Sequence, residues 1–150
     1  MISVAKEKNT DGRCVFSVRQ PEIKEKFDVI IEVGVLNLVD FHEEFNFIKG
    51  HLKKGGYYIC SLANANSLRA KLKFNEKKDG FKHLLSFPEY EKELSKIFII
   101  EKSEAYGLFI PHIWKIPLLA IILQPTIECF SKSFFSNLFH EKIYLLSFRT

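Results

Sequence analysis

Residues 25–40, EKFDVIIEVGVLNLVD, limit the possible folds more than any other stretch of this 150-residue chain. From Phe27 to Leu36, the residues Val29, Ile30, Ile31, Val33 and Val35 make a nearly continuous apolar run. That pattern suits a strand buried on both faces of a parallel sheet. Gly34 interrupts it, and glycine inside a strand marks a close backbone approach or a bulge. Asp40 then reads as a helix N-cap, with Glu43 three residues on to complete a capping box. Phe41, Phe45, Ile48 and Leu52 follow at helical spacing, Lys53 and Lys54 suit the helix's negative end, and Gly55-Gly56 stops it. YYICSL, residues 57–62, is the next strand. Strand, capped helix and strand together predict a βαβ unit with a right-handed crossover.

The flanking segments extend this pattern. MISVAKEKN resembles the end of a helix, NTDG is turn chemistry, and RCVFSV at 13–18 is a short β-type run ended by Pro21. Residues 63–85 are polar, basic and turn-rich. Ser86 and Glu89 form a second capping-box pattern before a helix face of Tyr90, Leu94 and Ile97. KIFIIEKSEAYG reads as helix end plus strand, and EKIYLLSFR at 141–149 as the last strand. Residues 111–140 hold three prolines and an apolar patch. They predict one or two helices broken at Pro117 and Pro125, inserted between the last two strands. The whole reads as a single α/β domain over residues 1–150.

Composition removes several classes of function. Cys14, Cys60 and Cys129 are few and far apart, with no CxxC, so neither a disulfide framework nor a zinc site is expected. His42, His51, His83, His112 and His140 show no metal-ligand spacing. The net charge of +4 is too mild to demand nucleic acid. Lys71, Lys73, Lys77, Lys78 and Lys82 read as a solvated loop, because only Phe74 and Phe81 interleave them for base stacking. The longest apolar run, IPLLAIIL at 116–123, falls short of the roughly 20 residues of a membrane-spanning helix. A cytoplasmic protein without a transmembrane segment or nucleic-acid partner is expected.

These pieces resemble, in order, the carboxyl-terminal part of a class I S-adenosylmethionine (SAM)-dependent methyltransferase of the small-molecule, type 11/23-like group. FDVIIEVGVLNLVD is similar to the family's strand four, and HLKKGGYYICSLANANSL to its LKpGG segment and strand five. HLLSFPEYEKELSKIFIIEKSEAYG looks like the next helix and strand six, and EKIYLLSF like strand seven. RCVFSV would be strand three, and MISVAKEKN resembles the helix after strand two. The resemblance implies a Rossmann-like sheet of order 3-2-1-4-5-7-6, mostly parallel, with only strand seven antiparallel. It implies SAM as cofactor and a small molecule as substrate. The family's Gly-rich SAM loop and ribose-binding acid do not occur in this chain, which therefore reads as a truncated sheet, expected to be inactive alone.

The resemblance also nominates residues. Arg19 and Gln20, in VRQPE, stand closest to the place of an adenine contact. Glu32, Val33 and Gly34 fall at the cofactor end of strand four; the alternative for Glu32 is a carboxylate at the solvent rim. Asn37 and Asn64 would meet substrate, although Asn64 equally suits an Asx turn. His112, beside Trp114, is the one candidate catalytic base, against an ordinary loop histidine.

Three functions follow. The chain is the carboxyl-terminal part of a methyltransferase, or a non-catalytic remnant that binds a partner or ligand, or a peripheral membrane binder through IPLLAIIL. If strands one and two are lacking, strand four becomes an edge. Either residues 13–18 then pair with it directly, or a second chain covers the edge at 28–35.

Overall fold

The computed structural model describes residues 25–72, 81–110 and 113–148. The segments MISVAKEKN and RCVFSV, with Arg19, Gln20 and His112, lie outside the described residues. Strands β1 (Phe27–Glu32), β2 (Leu52–Ala63), β3 (Phe98–Tyr106) and β4 (Glu141–Phe148) form one sheet in the order β1-β2-β4-β3. Helices α1 (Phe41–His51), α2 (Leu68–Lys71), α3 (Phe87–Leu94) and α4 (Pro117–Ser131) accompany it. The architecture is an α/β fold around a four-stranded mixed sheet.

The expectation of a mostly parallel sheet needs correction. Among the described residues only β1–β2 is a parallel pair; β2–β4 and β3–β4 are antiparallel. One reversed strand between two that run the same way converts both of its pairings. β4 is that strand.

Local chemistry sets the element ends. Asp40 caps α1 by accepting from the backbone N–H groups of His42 and Glu43. These bonds, Glu43's first, hold the Asp40 carboxyl below its ordinary value. The helix ends at His51, earlier than the glycine pair predicts, so Lys53 and Lys54 belong to the start of β2. Gly55 and Gly56 instead absorb an irregularity in the β1–β2 pairing, where Phe27 faces Leu52 and Val29 faces Tyr57. Gly55 has φ +79, and a Cβ on Gly56 would stand 2.7 Å from the Asp28 carbonyl oxygen. The backbones approach there too closely for a side chain. Ser86 and Glu89 form the capping box of α3.

Pro117 opens α4, but the expected break at Pro125 is absent: the helix runs unbroken from Pro117 to Ser131. Proline leaves the carbonyl four residues earlier without its N–H. Here that residue is Ile121, and both Ile121 and Pro125 are exposed, so water can take the bond.

The core lies on one face of the sheet. Tyr58, Cys60 and Leu62 of β2, Tyr144 and Leu146 of β4 and Phe98 of β3 pack against Phe45 and Ile48 of α1 and Phe87, Tyr90 and Leu94 of α3. Phe98 anchors the contact, its ring 5.5 Å from Phe45 and 5.6 Å from Tyr58. Lys142 of β4 ties α3 down through a 2.7 Å ion pair with Glu91. The opposite face of β1 is a second correction: Phe27, Val29, Ile31 and Val33 are exposed. Helices α1 and α3 both belong to the Tyr58 side, so the apolar run is not buried on both faces.

β3 carries a bulge. Ile100 faces Leu146 and Lys102 faces Leu145, which leaves Glu101 as the extra residue. Beyond it the side-chain parity of β3 is reversed.

Candidate functional site

The carboxyl ends of β1 and β2 meet the end of β3 and the start of β4. Ala63 faces Glu141, and Glu141 faces Tyr106, so four chain segments share this rim. After Glu32 the chain passes Val33 and turns at Gly34, whose φ of +72 is the left-handed region that disfavours side chains. The Gly34 N–H donates to Ser61 Oγ at 2.8 Å. No atom stands within 4 Å of a would-be Cβ at Gly34, so its backbone is open to approach.

Ser61 begins a line of hydrogen bonds across the sheet. It also bonds the Tyr106 hydroxyl, which in turn donates to the Glu141 carboxylate. The Tyr106 pKa is pushed up to about 12, first by burial and then by the bond to Glu141. At neutral pH Tyr106 is therefore a hydroxyl donor, not a base. Arg69 of α2 stands beside, 2.8 Å from His140 Nε2. A cavity of about 460 Å³ adjoins Tyr106, bounded by Ile127 of α4, Phe139, Ile143 and Leu145. Its size is that of a small-molecule pocket.

The predicted site residues divide among different surroundings. Val33 and Gly34 lie on the rim beside Ser61. Glu32 faces the core side, opposite Cys60, where it accepts from the Tyr58 hydroxyl at 2.6 Å. Burial, with the neighbouring Cys60 and Glu32, pushes the Tyr58 pKa far up and keeps the hydroxyl protonated. Burial likewise pushes up the Cys60 thiol.

Asn37 is buried and fastens three segments. Its Nδ2 donates to the Tyr90 hydroxyl at 2.6 Å and to the His83 carbonyl at 3.0 Å; its Oδ1 accepts from Ala63 N–H at 2.9 Å. Its own carbonyl accepts from Lys82 and His83. Asn64 is equally buried. Its Oδ1 accepts from Asn66 N–H, which is an Asx turn, and its Nδ2 donates to the Asn137 and Phe139 carbonyls. Both amides spend their donors inside the protein. Arg19, Gln20 and His112 cannot be located relative to this rim, because they lie outside the described residues.

The sequence did not single out Tyr106 and Glu141. No local motif marks them. They meet only through the β3–β4 register, and Tyr106 reaches this face only because of the bulge at Glu101. Without that residue the alternation from Ile100 would turn Tyr106 toward the core side.

The open backbone at Gly34 and the exposed side chain of Val33 leave one wall of the rim free for close, apolar approach. Glu32 faces away from that wall.

No family model matches the chain, and no curated protein matches it in sequence. Among solved structures, it is similar to a SAM-dependent methyltransferase from Thiobacillus denitrificans in complex with S-adenosyl-L-homocysteine. The TM-score is 0.49 and the identity 14%, covering 83% of this chain and 59% of that one. It is also similar to loganic acid methyltransferase with S-adenosyl-L-homocysteine (SAH), at a TM-score of 0.38 and 13% identity, over 73% of this chain and 47% of that one. The chain thus spans less than two thirds of the length of either structure, and its similarity to methyltransferases is one of structure at low identity.

Proposed function

We propose that this chain is the carboxyl-terminal, substrate-side part of a SAM-dependent methyltransferase of the small-molecule type. The strand arrangement carries the reading. The order β1-β2-β4-β3, with β4 alone reversed, is the order of strands 4-5-7-6 that the sequence resemblance implies. The rim at Gly34, with the 460 Å³ cavity near Tyr106, supports it. In such a protein SAM supplies the electrophilic methyl group. This chain's own residues would offer the cofactor the backbone of Val33 and Gly34. Asn37 and Asn64 would act by holding the rim loops in position, and the cavity between α4 and the β3–β4 pair would take the acceptor molecule and exclude water from it. His112 remains the candidate base if the acceptor must lose a proton.

The second reading, a non-catalytic remnant, is favoured by Glu32, whose carboxylate is turned to Tyr58 and away from the Gly34 rim. Titration of the 15N-labelled chain with SAH separates the two. The first reading expects weak binding, with amide shifts centred on residues 33–37 and 61–64. Absence of any shift at millimolar SAH supports the remnant and sinks a retained cofactor wall.

A further inference from the structure

We propose that the cavity under α4 binds an elongated amphipathic acid, with its apolar body inside and its carboxylate at a mouth flanked by Lys102 and Lys132. The 460 Å³ cavity at Tyr106 shares a wall with a second one of about 380 Å³. Lys102 of β3 and Lys132 at the end of α4 line both. The two differ in chemistry. Ile127, Phe139, Ile143 and Leu145 make the first mainly apolar. Ser103, Ser131 and Ser136 line the second, which has no aliphatic residue larger than Ala105 among the described residues. An apolar chamber that opens beside hydroxyls and ammonium groups fits a ligand with one apolar part and one polar end.

Charge decides the sign of that end. The bulge at Glu101 that turns Tyr106 to this side of the sheet turns Lys102 and Glu104 with it. Glu104 is the only carboxylate lining either cavity among the described residues. It stands 4.0 Å from Lys102, with both side chains half or more exposed, an arrangement of little binding strength. Lys142, which lines the second cavity, is committed to Glu91 at 2.7 Å. Lys132 has no ion-pair partner among the described residues and is exposed. The lining therefore keeps one uncompensated cation and a second one loosely held, which suits a single anion. Burying a carboxylate is costly, whereas at this exposed mouth it keeps part of its water and gains charge-assisted hydrogen bonds from the lysines.

That this acid is the methyl acceptor rests on the methyltransferase reading; that it binds does not. Tyr106 lies four residues beyond Lys102, roughly 13 Å along the strand. With the carboxylate at Lys102 and Lys132, the other end of the molecule comes to Tyr106 and the rim. The acceptor atom is then remote from the acid group, and the lysines select the molecule without touching the reacting atoms.

The test is a titration of the full, 15N-labelled chain, without SAM or SAH, with octanoate, octanol, octylamine and butyrate. Octanoate should bind with amide shifts centred on residues 102–107, 131–132 and 143–145. It should bind roughly tenfold more tightly than octanol, the difference one charge-assisted hydrogen bond makes, and more tightly than butyrate, which lacks the apolar length. Lys132→Gln, at an exposed helix end, should bring octanoate to the level of octanol and leave octanol unchanged. Equal binding of octanoate and octanol, or of octanoate and butyrate, would overturn the proposal. So would tighter binding of octylamine, which would give the mouth to Glu104, or shifts centred on Leu118–Ile122 outside the cavity. The SAH titration reads residues 33–37 and 61–64, so either result can fail without the other.

Discussion

Asn37 shows how one side chain can hold a functional rim together. Its two donors and one acceptor join the end of β2, the loop before α3 and the Tyr90 hydroxyl of α3 itself. Tyr90 also accepts from Leu85 N–H at 2.9 Å, so both residues stitch the 83–85 segment to the sheet. The sequence marks Asn37 as unusual, a polar residue in an apolar strand exit. It gives no sign of the partners, which lie 26 to 53 residues away. Asn37→Ala would leave the Ala63 N–H and the His83 carbonyl without this partner in a buried place. Each orphaned group costs about 1–3 kcal/mol, so a loss of roughly 2–4 kcal/mol is expected in urea denaturation. Asn37→Asp keeps the acceptor but sets a buried carboxylate against the His83 carbonyl, so its loss should be at least as large. A loss below about 0.5 kcal/mol, the range of ordinary surface substitutions, would mean that the rim does not depend on this residue.

Elements with strong local signals were legible, and their junctions were not. Asp40 and Ser86 announced α1 and α3, and alternating or apolar runs announced β1, β2, β3 and β4. The end of α1, the continuity of α4 through Pro125 and the bulge at Glu101 depend on tertiary context that no short window contains. The bulge matters most, because it turns Tyr106 toward Ser61 and Glu141. Tyr106 keeps its proton up to a pKa of about 12, above the ordinary value near 10. A folded pKa raised above the unfolded one means a contribution to stability that is complete below about pH 10 and lost as the pH rises through 12. Absorbance at 295 nm, compared with Tyr106→Phe, should assign one late-ionising tyrosine to this position. Deleting Glu101 restores simple alternation and should move that ionisation away from 12, because Tyr106 then loses Glu141. An unchanged titration in the deletion variant would show that the bulge does not aim this side chain.

At the scale of the molecule, the sheet buries one face under α1 and α3 and leaves the β1 part of the other face open. No helix among the described residues is long and apolar enough to cross a membrane, yet two apolar surfaces face outward. One comprises Val29, Ile31 and Val33 of the β1 segment with Tyr57 and Ile143; the other comprises Leu118, Ile121 and Ile122 of α4. The sequence reading missed this asymmetry because a continuous apolar run does not tell whether anything packs on its second side. Exposed patches of this kind mark interaction or aggregation surfaces. Ile31 is the sharpest probe, at 66% exposure near the carboxyl end of β1. A lysine there keeps its ammonium in water while its stem lies along the sheet. Ile31→Lys should therefore change stability by no more than about 0.5 kcal/mol, as surface substitutions do. It should also reduce concentration-dependent self-association measured by sedimentation velocity, because it breaks the patch with a charge. A drop in the thermal midpoint of about 10 °C or more, the cost of burying an unpaired charge, would instead mean that Ile31 is covered in the folded protein. In that case the apolar face would be an interior surface, closed by residues outside those described or by a partner.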